Sequence, residues 1–123
     1  MKHDSDILIV GGGLNGPATA LALARAGLSV TMVDALPAAT MAQQDFDGRS
    51  YALALASVRL LTKIDVWPRV AEKSQPMLEI KVTDGRAGEA PSPFLMHFDH
   101  AEIEEGPMGH MIEDRYLRRA LND

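Results

Sequence analysis

Six residues near the amino terminus carry the strongest chemical signal in this chain. Gly11-Gly12-Gly13-Leu14-Asn15-Gly16 holds the spacing G-x-G-x-x-G. The string alone is common, and it gains meaning only between a buried strand and a helix. In that setting each glycine has a task. Gly11 is expected to allow the tight turn out of the strand. Gly13 lets backbone approach a pyrophosphate, and Gly16 lets the helix pack closely on the strand. The N–H groups at the helix start, around Leu14 and Asn15, have no helical acceptors and face the phosphates. Asp34 stands 18 residues beyond Gly16. There a carboxylate accepts both hydroxyls of an adenosine ribose and repels a 2′-phosphate. The set reads as a dinucleotide site that disfavours NADP. The plain alternatives are a glycine turn without a ligand and a solvated loop acid, although three consecutive glycines are costly to order without a use.

The elements that would position these residues follow from periodicity. Ile7-Leu8-Ile9-Val10 is a continuous apolar run, expected as a strand buried on both faces. A helix is expected over 15–26, closed by Gly27 as its C-terminal cap, with Ala20 and Gly27 as points of close approach to the sheet. A second strand spans 29–33. Pro17 falls in the first helical turn, where its missing N–H has no helical partner, but it removes one phosphate donor. Residues 35–50 lack a period and read as a long loop, a feature usually functional or disordered. A helix is expected over 51–63 and a helical turn over 67–73. Residues 77–84 alternate, with Leu78, Ile80 and Val82 on one side, as in a half-buried strand. Residues 94–98 form its partner, 109–112 a further strand, and 113–121 a helix with acids first and arginines last.

Composition narrows the function classes. The 123 residues are 46% apolar and 24% charged, with a formal net charge of −5. This fits one globular domain. No basic face suited to nucleic acid stands out, nor a polybasic membrane anchor. The chain contains no cysteine, so it has neither disulfides nor thiolate metal sites, and no metal centre is expected. The uncharged run over 7–24 mimics a membrane span by length, but its glycines and proline break it into strand, turn and helix.

The segment after the second strand separates the dinucleotides. NAD dehydrogenases usually pass there into another βα unit. This chain enters the loop that carries Arg49. Its guanidinium offers a forked donor pair to an anionic cofactor, although a lone loop arginine is ordinarily solvated.

Several segments together go further: 6–13 (Asp-Ile-Leu-Ile-Val-Gly-Gly-Gly), Asp47-Gly48-Arg49-Ser50-Tyr51-Ala52-Leu53, Ser57-Val58-Arg59-Leu60-Leu61, Val66-Trp67, and Glu113-Asp114-Arg115-Tyr116-Leu117-Arg118. They resemble the amino-terminal third of the ubiquinone-biosynthesis hydroxylases, within the para-hydroxybenzoate-hydroxylase-like FAD monooxygenases. The resemblance runs over nearly the whole chain, and its Arg49 and Arg115 segments are more specific than the glycine motif. It implies FAD as cofactor, NAD(P)H as electron donor, and transfer of one oxygen atom from O2 to a small phenolic or quinone-precursor substrate, such as a polyprenylated phenol. The cofactor supplies the hard chemistry and the protein orients and shields it. Arg49 would lie along the FAD and Arg115 would face it. The family usually has glutamate where Asp34 stands and often asparagine where Asp114 stands.

The resemblance also implies an α/β fold: a Rossmann-like βαβ FAD-binding unit with an added antiparallel β-hairpin from the substrate region. Residues 1–75 would hold the FAD-binding unit, 76–108 the hairpin, and 109–123 the return strand and helix. Two later cofactor segments of the family are absent and its members are several-fold longer. The expectation is therefore an incomplete, amino-terminal piece of a longer protein, in which no catalytic side chain can be named. A cytoplasmic protein is implied, with room for peripheral association at the inner membrane. Unpaired strand edges and uncovered apolar helices should make the piece self-associate. An NAD-dependent dehydrogenase domain and a non-catalytic nucleotide-binding module are the competing readings.

Overall fold

The computed structural model describes residues 3–37, 40, 45–90 and 92–123. Strand β1 (Ile7–Val10) runs parallel to β2 (Val30–Val33), with Ile7 opposite Val30 and Val10 opposite Val33. Helix α1 (Asn15–Arg25) makes the crossover between them. The base of the pair is closed by Asp6, whose carboxylate accepts from both the backbone N–H and the hydroxyl of Ser29 at 2.8 and 2.6 Å.

Gly27 ends α1 with φ +89°, a left-handed value that glycine adopts without strain. A Cβ added there would meet nothing within 4 Å. Gly27 is thus selected by backbone conformation, and the expected close approach to the sheet does not occur at that position.

β1 departs from the expected two-sided burial. Its burial alternates, and Leu8 and Val10 are 63% and 80% exposed. The reason is the sheet itself: β1 and β2 form a two-stranded sheet, and α1 covers one face of it.

The expected loop over 35–50 falls partly on 38–39 and 41–44, which lie outside the described residues. The expected helix over 51–63 begins later. Ser50–Ala54 forms strand β3, and helix α2 spans Leu55–Lys63. Alanine and leucine favour helix intrinsically, yet here the strand pairing of a distant segment outweighs that preference. β3 pairs antiparallel with β7 (Gly109–Glu113), with Ser50 opposite Glu113 and Ala54 opposite Gly109. Short helix α3 (Trp67–Val70) and a 3₁₀ turn (Ala71–Lys73) lead into β4 (Gln75–Met77), which pairs with the other edge of β7. Helix α4 (Asp114–Asn122) follows β7 directly.

The core lies here and not in the parallel unit. Leu61, Ile64, Val66, Val70, Ile112, Leu117, Ala120 and Leu121 form one buried cluster. Leu14, Ala18, Leu21 and Ala22 of the α1 region pack against it, so the core braces the glycine turn from behind.

β5 (Glu79–Thr83) and β6 (Leu95–Asp99) form the expected antiparallel hairpin. Its apolar side is not half-buried as expected: Ile80, Val82, Met96 and Phe98 are all exposed. The register puts Ile80 opposite Phe98 and Val82 opposite Met96, so these side chains share one face. Periodicity identified the face correctly, but among the described residues no layer lies upon it.

Candidate cofactor site

The site begins where β1 ends. Gly11 adopts φ +109°, which only glycine takes easily, and its N–H donates to the Val33 carbonyl at 2.8 Å. The turn brings the chain sharply into α1. A Cβ on Gly16 would lie 1.9 Å from the Gly11 carbonyl oxygen and 3.4 Å from the Met32 sulfur. Glycine is therefore obligatory at 16, and the close approach is chiefly to the turn, with the β2 side chain behind it.

Gly13 differs. A Cβ there would meet no protein atom within 4 Å, and its φ is not positive. The protein itself makes no demand for glycine at 13, and the space before it is open.

α1 opens onto that space without a side-chain cap. Its first N–H groups have no acceptor within the helix, and its first turn carries no acidic residue. Pro17 is buried in this first turn, as the sequence suggested. A cleft of about 430 Å³ lies in front, lined by Gly11, Gly13, Leu14, Asn15, Gly16 and residues of β1. The structure thus gathers five of the sequence-predicted residues around one opening.

Asp34 stands beside the turn and does not line the cleft. Its carboxylate accepts from the Gly12 N–H at 2.5 Å and from the Leu36 N–H at 2.6 Å. These bonds, Gly12 first, hold its pKa below the ordinary carboxylate value. Each oxygen has a lone pair left for a further donor. The Gly12 bond was missed from sequence, because the motif assigns no role to the middle glycine. It fixes the acid to the turn it serves.

Leu14 and Asn15 also line a second, more apolar cleft of about 540 Å³, shared with Tyr51 and Leu53 of β3, Leu60 of α2 and Leu117 of α4. The two clefts share Leu14 and Asn15 at the start of α1.

Arg49 and Arg115 are not among the residues lining either cleft. Both belong to one end of the antiparallel sheet, because Ser50 pairs with Glu113, Arg49 directly precedes Ser50, and Arg115 follows Glu113 by two residues in the first turn of α4. The Arg49 side chain donates through Nε to Asp47 at 2.7 Å, and the same carboxylate meets its Nη2. Arg115 donates to Glu113 at 2.6 Å and stacks its guanidinium 4.8 Å from the Tyr116 ring centre.

Between them lies a residue that the sequence did not single out as functional. Asp114 is 3% exposed, the one buried charged side chain among the described residues. It pairs with Arg118 at 2.5 Å and with Arg49 at 3.5 Å, and accepts from the Tyr51 hydroxyl at 3.0 Å. Burial first, and then the Asp114 carboxylate, push the Tyr51 phenol above its ordinary value. The one local sign was the i, i+4 spacing of Asp114 and Arg118.

The chain as a whole has known relatives. Over 117 residues the chain is 44% identical to the ubiquinone hydroxylase UbiL of Rhodospirillum rubrum, covering 95% of this chain and 26% of that protein. Over 122 residues it is 35% identical to the 3-demethoxyubiquinol 3-hydroxylase of Escherichia coli, covering 98% of this chain and 30% of that protein. The chain therefore spans between a quarter and a third of the length of these curated relatives. Among solved structures, a flavoprotein/dehydrogenase from Cytophaga hutchinsonii shares the fold with a TM-score of 0.64 at 17% identity, over 95% of this chain and 26% of that one. A family model described as the FAD binding domain matches residues 4–119. By that match, the chain belongs to the FAD binding domain family.

Proposed function

We propose that this chain forms the adenosine-diphosphate-holding part of an FAD-dependent aromatic hydroxylase acting in ubiquinone biosynthesis. One observation carries the proposal. Gly16 is forced to be glycine by the protein, whereas Gly13 is left unopposed beside an uncapped helix start. That is the arrangement a pyrophosphate needs. The two relatives, whose names are those of ubiquinone-pathway hydroxylases, support the substrate class.

In this reading Gly11, Gly13, Leu14, Asn15 and Gly16 cradle the pyrophosphate. Asp34 accepts from the ribose hydroxyls with its remaining lone pairs. Arg49 and Arg115 contribute positive charge along the cofactor. Residues 1–75 and 109–123 act together as the cofactor-binding part, and 76–108 extend as an arm of the substrate region. When bound, FAD supplies the redox chemistry that places an oxygen atom from O2 on a phenolic ring, with NAD(P)H as reductant. The chain's own contribution is binding, orientation and exclusion of water. The reading places the protein in the cytoplasm, at the membrane surface where its quinone-precursor substrate resides.

The test is direct. The native-length protein should carry flavin absorbance and, with NAD(P)H and O2, add one oxygen atom to a polyprenylated phenol, seen by mass spectrometry. A colourless native-length protein that shows no FAD binding would refute the assignment.

A further inference from the structure

We propose that Asp114 is a positioning residue for Arg49, setting where that guanidinium stands relative to the cofactor. The inference rests on the reading that Arg49 contributes to FAD binding. Its geometry is independent of that reading.

Arg49 has two carboxylates within reach. Asp47 makes the shorter contact, and its hydrogen bond is the first cause of the raised Arg49 pKa. Yet Asp47 lies two residues away on the same strand of loop, and both side chains are about half exposed. A contact within one loop travels with that loop and does not fix the arginine to the fold. Exposed pairs are also screened by solvent and contribute little.

Asp114 differs on each count. It belongs to α4, its side chain is 4% exposed, and it is held by Arg118 at 2.5 Å and the Tyr51 hydroxyl at 3.0 Å. The carboxylate therefore has a set position, and its charge reaches the half-exposed Arg49 guanidinium from a fixed, buried point. The two residues are also joined through the backbone, since the Asp114 N–H donates to the Arg49 carbonyl at 3.0 Å. That bond does not involve the Asp114 side chain, so Asp114→Asn should leave it and the pairing of β3 with β7 in place. The side-chain contact at 3.5 Å is then free to act on the guanidinium alone.

The experiment is a double-mutant cycle on the FAD dissociation constant of the native-length protein, with melting temperature recorded in parallel. Arg49→Gln should weaken FAD about tenfold in the native background but less than about twofold beside Asp114→Asn, a coupling of the size contacting residues show. Asp114→Asn keeps an oxygen for the Tyr51 hydroxyl while removing the charge. Equal effects of Arg49→Gln in both backgrounds would overturn the proposal, whatever the melting temperatures do. No effect of Arg49→Gln in the native background would instead refute the role of Arg49 itself. Should Asp114→Asn not fold, Asp47→Ala decides. A change under about twofold supports Asp114 as the anchor, and a loss of about tenfold makes Asp47 the anchor and overturns the proposal.

Discussion

At the scale of single residues, Asp34 shows how a carboxylate proposed to meet the ribose is also tied into the protein. Both of its oxygens already accept backbone N–H groups, from Gly12 and Leu36. The two bonds favour the charged form, so its folded pKa lies below the ordinary 3.8. A carboxylate lowered on folding adds stability that is complete above its unfolded value and disappears as pH falls through the folded one. The native protein should therefore lose melting temperature more steeply than Asp34→Asn between about pH 5 and pH 3. Other lowered carboxylates, including Asp6 and Asp47, contribute equally to both proteins, so the difference isolates Asp34. Parallel melting curves across that range would contradict the two backbone bonds.

At the scale of elements, burial separates positions that composition makes alike. Ile112 of β7 is 2% exposed within the core, whereas Ile80 of β5 is 38% exposed on the hairpin face. Ile112→Ala should cost about 2–5 kcal/mol in urea denaturation, as a cavity in a packed core does. Ile80→Thr should cost less than about 1 kcal/mol. Comparable losses at the two sites would mean the hairpin face is covered. The same contrast explains what the sequence could show. The β1–turn–α1–β2 unit was legible because its signals are local: an apolar run, a glycine at φ +109°, and a closing glycine at φ +89°. β3 was not, because Tyr51-Ala52-Leu53-Ala54 becomes a strand only through β7, about 60 residues later. The Asp114 cluster escaped for the same reason, its Tyr51 partner being 63 residues away. For the hairpin, alternation revealed the apolar side of Ile80 and Val82 but not whether anything covers it.

At the scale of the whole molecule, the 123 residues leave much apolar surface in water. Val10 and Phe94 are 80% and 83% exposed, and among the described residues nothing covers one face of the parallel pair or the apolar face of the hairpin. Apolar patches and open strand edges of this kind drive association. Expressed alone, the 123-residue chain should run as oligomers by light scattering. A monodisperse monomer at the same concentration would contradict that.

The central proposal is that the space before Gly13 holds a cofactor phosphate. Its sharpest test is an equilibrium FAD titration of the native-length protein and its Gly13→Ala variant, each with a melting curve of the apo form. A Cβ at 13 meets no protein atom within 4 Å. The apo variant should thus melt within the range of a neutral surface change, about 0.5 kcal/mol, while its FAD dissociation constant rises at least about tenfold, or 1.4 kcal/mol. Equal FAD affinity in the two proteins would contradict the account.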